Sequence, residues 1–156
     1  MEQIIIGNVY WLRNDYVKDI TIGSITYPTL EHAYQAAKFS DRSIKLQIAS
    51  VTVKEARNIG RKNKQIDDFD RFLIMGILQR TKLHDPELGQ KLANTGSAPI
   101  VMEGYDEYWG TGSSGLGQNT LGEILQDIRS ELQVVYGIEV EDEEDEEESD
   151  CDDCDV

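Results

Sequence analysis

Ile20-Thr21-Ile22-Gly23-Ser24-Ile25-Thr26-Tyr27-Pro28-Thr29-Leu30-Glu31-His32-Ala33-Tyr34-Gln35-Ala36-Ala37-Lys38-Phe39 decides the fold, because it carries the chain from a hairpin directly into a helix. β-Branched residues flank a Gly23-Ser24 turn, which predicts two short antiparallel strands. Pro28 cannot continue a strand in a central position but suits the switch to a helix, with Thr29 as N-cap and Leu30 to Phe39 helical. On that helix Glu31, Tyr34, Gln35 and Lys38 share one face, while Leu30, Ala33 and Ala37 share another.

Outward from this unit, Ile4 to Trp11 reads as a first strand. Thr52 and Glu55 have capping-box spacing and open a helix that should end near Gly60. Phe69 to Leu83 reads as a largely buried helix, and Asp85-Pro86-Glu87 starts another that Gly96 closes. Ala98 to Met102 reads as a buried strand. Leu121, Ile124, Leu125, Ile128, Leu132 and Val135 then recur at helical spacing until Gly137. No internal repeat is visible. The expected architecture is α+β, a helix-dominated single domain with a small β-sheet built from the N-terminal strands and the 98–102 strand.

The chain has 156 residues and a net charge of −15, with 30 acidic side chains. Residues 139–156 hold 13 of the acids and no Lys or Arg, leaving 17 acids against 15 cations elsewhere. The acidity therefore belongs to an appended segment, and the rest, at −2, is close to neutral. The expected division is a domain over 1–138 and a disordered acidic tail over 139–156, whose like charges repel and whose few apolar residues cannot offset its ordering entropy. Both cysteines, Cys151 and Cys154, fall there as C-x-x-C. This is half of a zinc site, with no His nearby, and the surrounding acids would raise rather than lower the thiol pKa. They read as incidental, and no metal or cofactor is expected. The opening apolar run is too short for a signal peptide and no segment has the length of a membrane span, so a cytoplasmic protein is expected.

The segment from Asp106-Glu107-Tyr108-Trp109-Gly110 through Gly112, Gly115 and Gly117 to Asn119-Thr120-Leu121-Gly122 combines a carboxylate, an indole and a glycine-rich loop. Glycines at that density mark a flexible loop or one pressed against a ligand. Thr120 and Glu123 again have capping-box spacing, so the N–H groups of the next helix could face the loop and hold a phosphate. An ordinary glycine-rich connection with a buried Trp is the competing explanation. The loop follows no early βαβ unit and no Lys-Ser/Thr follows its glycines, which argues against Rossmann and P-loop sites.

The run from Tyr27 to Phe39, followed by Asp106-x-x-Trp109-Gly110 and Gly117-x-Asn119-x-Leu121-Gly122, resembles the NADAR (YbiA-like) family. Leu12-Arg13-Asn14-Asp15-Tyr16 is similar to a degraded form of that family's Leu-Ser-Asn-Phe-Tyr-Pro segment, with Arg13 and Asp15 as departures and no proline after it. Thr95-Gly96, the strand after them and Arg129 also fit. The resemblance covers roughly residues 4–136 and implies a YbiA-like fold and cleavage of N-glycosidic bonds. The implied substrates are phosphorylated ribosylamino-pyrimidine intermediates of riboflavin synthesis or ADP-ribosylated guanine bases, with no metal required.

The residues suit that chemistry. Hydrolysis of a ribosyl C–N bond passes through an oxocarbenium-like centre, which calls for one carboxylate to stabilise charge or activate water and for an acid or hydrogen bond at the departing base. Glu31 and Asp106 are the catalytic candidates. Tyr34 and Trp109 can stack on a base, Lys38 and the helix start at Asn119 can hold phosphate, and Asn14, Gly110 and Gly117 complete the expected binding set. Each has a plainer alternative: Glu31 as a first-turn acid, Trp109 as core, Asn119 as a cap, Lys38 as a solvated charge. His32, one residue off the Glu31 face, and His84 read as structural.

Three readings follow: an N-glycosidase for a small nucleotide-like or ADP-ribosylated substrate, a non-catalytic ADP-ribose or nucleotide-binding module whose acidic tail recruits a partner, and a tail that mimics nucleic acid or competes for a basic protein partner. The near-neutral body and acidic tail argue against stable nonspecific nucleic-acid binding. No membrane partner is expected.

Overall fold

The computed structural model describes residues 2–140. Its strands are β1 (Ile4–Ile5), β2 (Val17–Ile22), β3 (Ile25–Thr29) and β4 (Ile100–Val101). Its helices are α1 (Leu30–Ala37), α2 (Arg42–Ala49), α3 (Val53–Lys62), α4 (Arg71–Leu83), α5 (Pro86–Ala93) and α6 (Thr120–Tyr136). The α+β, helix-dominated reading holds. The single small sheet does not: β2 pairs antiparallel with β3 and β1 pairs parallel with β4, as two separate two-stranded pieces.

β2 and β3 meet across Gly23-Ser24 with Ile22 opposite Ile25 and Ile20 opposite Tyr27. Gly23 supplies the turn's left-handed residue at φ 63°. Pro28 stays inside β3, which a strand paired on one side only permits. Thr29 then caps α1 by accepting the His32 N–H at 3.2 Å.

α1 sits at the centre, packed against β2, β3, α2, α3 and α4. Every residue from Leu30 to Ala36 is buried, including Glu31, His32 and Gln35. A helix of eight residues is too short to persist by itself, so its position comes from this packing. The His32 ring is accounted for structurally: Nδ1 lies 2.7 Å from the Thr29 hydroxyl and Nε2 2.7 Å from the Val51 carbonyl. Since a carbonyl can only accept, the proton belongs on Nε2.

Several boundaries depart from the expectations. Ile4 to Trp11 is not one strand: after β1 the chain makes two 3-10 turns, Ile6–Asn8 and Tyr10–Leu12, which bury Ile6 and Leu12. β4 is similarly shorter than the expected 98–102 strand. α2, capped by Asp41, had no place in the expectations. α3 runs past Gly60 to Lys62. α4 is less buried than its composition suggests, with Phe72, Leu73 and Ile77 about half exposed. α6 ends as expected at Gly137, which takes a left-handed φ of 67°. Arg129 on α6 is buried and donates to the Ala98 carbonyl at 2.7 Å and to Thr95 Oγ1 at 3.2 Å, fixing the approach to β4.

Among the described residues no helix is long and apolar enough to cross a membrane. The acidic run from residue 141, with Cys151 and Cys154, lies outside the described residues.

Candidate active site

α1 forms one wall of a cavity of about 860 Å³. The spacing of Glu31, Tyr34, Gln35 and Lys38 puts all four on the face that lines it. The Glu31 side chain is only 6% exposed. A buried carboxylate requires partners, and Glu31 has two: Oε1 accepts from Gln35 Nε2 at 3.0 Å and from Arg57 Nε at 3.1 Å. Both bonds fall on the same oxygen, so Oε2 has no hydrogen-bond partner among the described residues.

α3 brings Arg57 and Arg61 to the cavity one turn apart. Gly60 lies between them because a Cβ there would collide with Gln35 Oε1. That oxygen is buried against Gly60 and has no hydrogen-bond partner among the described residues.

The lining contains Arg13, Lys38, Arg57, Arg61 and Arg71 against Asp15, Glu31 and Asp106. Arg13 is taken by a two-pronged pair to Asp15 at 2.9 and 2.8 Å, and Arg57 by Glu31. Lys38, Arg61 and Arg71 then outnumber Asp106. The cavity therefore favours an anion, although the chain as a whole is strongly acidic. Burial lowers the Lys38 pKa, and Glu31 opposes that shift. The Arg71 guanidinium lies over the Tyr108 ring, 3.4 Å from its centroid.

Tyr34 makes T-shaped contacts with Phe69 at 5.7 Å and with Trp109 at 6.0 Å between centroids, and the three rings share the apolar lining with Ile6, Met75, Met102 and Leu121. Burial, reinforced by Glu31, raises the Tyr34 pKa, so its hydroxyl remains protonated.

Asn14 also lines the cavity, held from below. Its Oδ1 accepts from Gln79 at 2.7 Å and its carbonyl accepts the Glu31 N–H at 3.0 Å. Beside it the buried Lys82 ammonium donates to the Arg13 carbonyl at 2.8 Å. Burial lowers the Lys82 pKa to about 8.

The glycine-rich loop is organised differently from its expected role. Asp106 does line the cavity, with Oδ1 accepting the N–H groups of Tyr108 at 2.9 Å and Trp109 at 2.5 Å. Trp109 lines it too. Gly110, Gly117 and Asn119 do not. A Cβ at Gly110 would overlap the Gly104 carbonyl, and one at Gly117 would meet the Gly110 and Thr111 carbonyls, so these glycines serve close backbone packing rather than a ligand. Asn119 bridges β4, accepting from Met102 N at 2.8 Å and donating to the Ile100 carbonyl at 3.0 Å.

The expected phosphate position at the start of α6 is also closed. Thr120 is the first helical residue and not a cap; Asn119 takes the N-cap position with no side-chain bond into the helix. The N–H groups of Thr120 and Leu121 donate to the carbonyls of Tyr108 and Trp109 at 3.0 and 3.1 Å. The Thr120–Glu123 spacing matched a capping box without forming one. Of the cations lining the cavity, Lys38 was expected, whereas Arg57, Arg61 and Arg71 were missed; an arginine pair spaced i, i+4 around a helical glycine was the available signal. Among the described residues no group of three or more His, Cys, Asp or Glu is placed to hold a metal ion.

The NADAR domain model matches residues 5–133. A riboflavin biosynthesis protein of Vibrio vulnificus is 32% identical over 132 residues, covering 79% of this chain, which spans only 35% of that protein's length. The N-glycosidase YbiA of Shigella flexneri is 30% identical over 141 residues, covering 81% of this chain and 88% of its own length. The NMR structure of the E. coli protein YbiA superposes with a TM-score of 0.73 at 28% identity, covering 92% of each chain.

Proposed function

The chain belongs to the NADAR domain family, and on that premise we propose that it is an N-glycosidase hydrolysing the C–N bond between a phosphate-bearing ribosyl group and its base. The observation that carries this reading is Glu31: a buried carboxylate, anchored through one oxygen only, at the wall of a cavity whose unpaired charges are mainly cationic. The proposed substrates are an ADP-ribosylated guanine base or a phosphorylated ribosylamino-pyrimidine. Both combine an anionic arm with a planar base.

In the reaction the electron pair of the C–N bond leaves with the base nitrogen, and positive charge develops at the anomeric carbon. The Glu31 carboxylate stabilises that charge or takes the proton of the attacking water. The water oxygen ends on the sugar as its hydroxyl and a proton ends on the base. Asp106 is assigned the hydrogen bond to the departing base or to water through Oδ2, because Oδ1 is held by the loop backbone. Lys38, Arg61 and Arg71 hold phosphate, and Trp109 and Tyr34 offer ring surface to the base.

The test is incubation with both substrate types and mass detection of free base. Glu31→Gln and Asp106→Asn should lose release while unfolding at the wild-type temperature. The non-catalytic reading gains some support from the loop-holding role of Asp106, and it requires ADP-ribose binding without base release from any substrate. Undiminished turnover in either variant removes that residue from the mechanism.

A further inference from the structure

Among the described residues two non-glycine positions have positive φ: Tyr105 at 61° and Asn119 at 52°. Asn119 is explained by its two bonds across β4. Tyr105 has no such explanation. The left-handed region suits Asn or Gly, and a ring-bearing residue there is strained. The strain is not offset by packing: Tyr105 is 61% exposed, and its side chain makes no hydrogen bond or ring contact among the described residues.

Its surroundings are nevertheless fixed. Gly104 N donates to Thr111 Oγ1 at 3.0 Å, the Gly104 carbonyl accepts from Gly112 N at 2.9 Å, and Asp106 Oδ1 receives the Tyr108 and Trp109 N–H groups. The chain is thus pinned on both sides of a residue whose side chain the fold does not use. That side chain lines the cavity. The pKa of its hydroxyl is raised first by burial and then by Glu31, with Arg57, Asp106 and Arg61 also in electrostatic reach. The Tyr105 side chain therefore shares the cavity with Glu31 and Asp106, the groups assigned to the chemistry.

We propose that Tyr105 is a substrate-contacting, specificity-determining residue whose ring lies against the base of a seated nucleotide-like ligand at the cavity mouth. The fold retains it at a cost to backbone conformation, in return for contact area that exists only when ligand is bound. The nature of the ligand rests on the glycosidase reading; the position and strain of Tyr105 do not.

The experiment titrates wild type, Tyr105→Phe and Tyr105→Gly with ADP-ribose by calorimetry and measures thermal unfolding of each without ligand. The ring should carry the contact, so Tyr105→Phe should bind within about twofold of wild type, whereas Tyr105→Gly should bind at least about fivefold more weakly. Glycine relieves the left-handed strain but adds freedom to the unfolded chain, so the Tm of Tyr105→Gly should stay at or above the wild-type value. Wild-type affinity in Tyr105→Gly, or a Tm several degrees lower, overturns the proposal. If wild type does not bind ADP-ribose, the substrate reading fails separately; the Tm of Tyr105→Gly then decides whether Tyr105 is held against stability, and a lowered Tm makes it structural.

Discussion

The wall formed by α1 and α3 and the loop from Gly104 to Asn119 both border the cavity, but they are built on opposite principles. On the wall, backbone groups are satisfied within helices and polar side chains project into the cavity: Glu31, Gln35, Lys38, Arg57 and Arg61. On the loop, polar side chains turn inward to hold backbone, as Asn119 does across β4, and glycines let carbonyls pass close by. The loop contributes few side chains to the cavity, Tyr105, Asp106 and Trp109. Glycine density therefore marks scaffold here, and the proposed chemistry sits on the helices.

The contrast predicts different failures on the two sides. Glu31→Gln on the wall should reduce base release by about three orders of magnitude, since an ionised carboxylate at the reacting centre is replaced by a neutral isostere. Steady-state kinetics with unchanged circular dichroism would show it, and a loss below tenfold would move the chemistry elsewhere.

Gly122→Ala, where the loop hands over to α6, should instead unfold the protein more easily, by about 2–4 kcal/mol in a urea titration, because the new methyl would overlap the Ile100 carbonyl and crowd Asn119. Unchanged stability would mean that the β4 to α6 contact is looser than described.

A further pH dependence arises on α4, beneath the cavity. Lys82, beneath the 13–15 segment, has its pKa lowered by burial to about 8 from an ordinary 10.5. Between those values the folded chain has released this proton while the unfolded chain still holds it, so stability should rise with pH, by about 2 kcal/mol from pH 8 to 10 from this group. The raised pKa values of Tyr27, Tyr34 and Tyr105 act in the opposite direction from about pH 10 upward, where an unfolded tyrosine ionises. Urea unfolding of wild type and Lys82→Met across the window should show the slope flattened in the variant, and equal slopes would contradict it.

The smallest effect should come from the tail. We propose that the domain ends at residue 138 and that a chain ending there keeps small-substrate turnover within about twofold, while its affinity for nucleic acid rises in low salt as like charge is removed. Lost helicity or turnover would make the tail part of the fold or site.

The wall was more legible in the sequence than the loop, for a physical reason. A helix face follows from spacing alone, so Glu31, Tyr34, Gln35 and Lys38 could be placed together before any coordinates, and Thr29 could be named as their cap. A loop's bonding is decided by segments far away in sequence: Asn119 looked like a phosphate cap because nothing local shows that β4 would claim its amide. The long first strand failed similarly, since Ile4 to Trp11 is apolar enough for a strand but finds only the two residues of β4 to pair with. Arg57, Arg61 and Arg71 remained hidden because their convergence depends on how α3 and α4 dock against α1.

The most direct test of the claim that the ligand sits on the α1–α3 wall is amide shift mapping of isotope-labelled protein titrated with ADP-ribose. The account predicts that the largest changes fall at residues 13–15, 31–38, 57–61 and 105–109, with residues 112–118 little affected. Changes concentrated at 110–119, or no changes at saturating ligand, would contradict it.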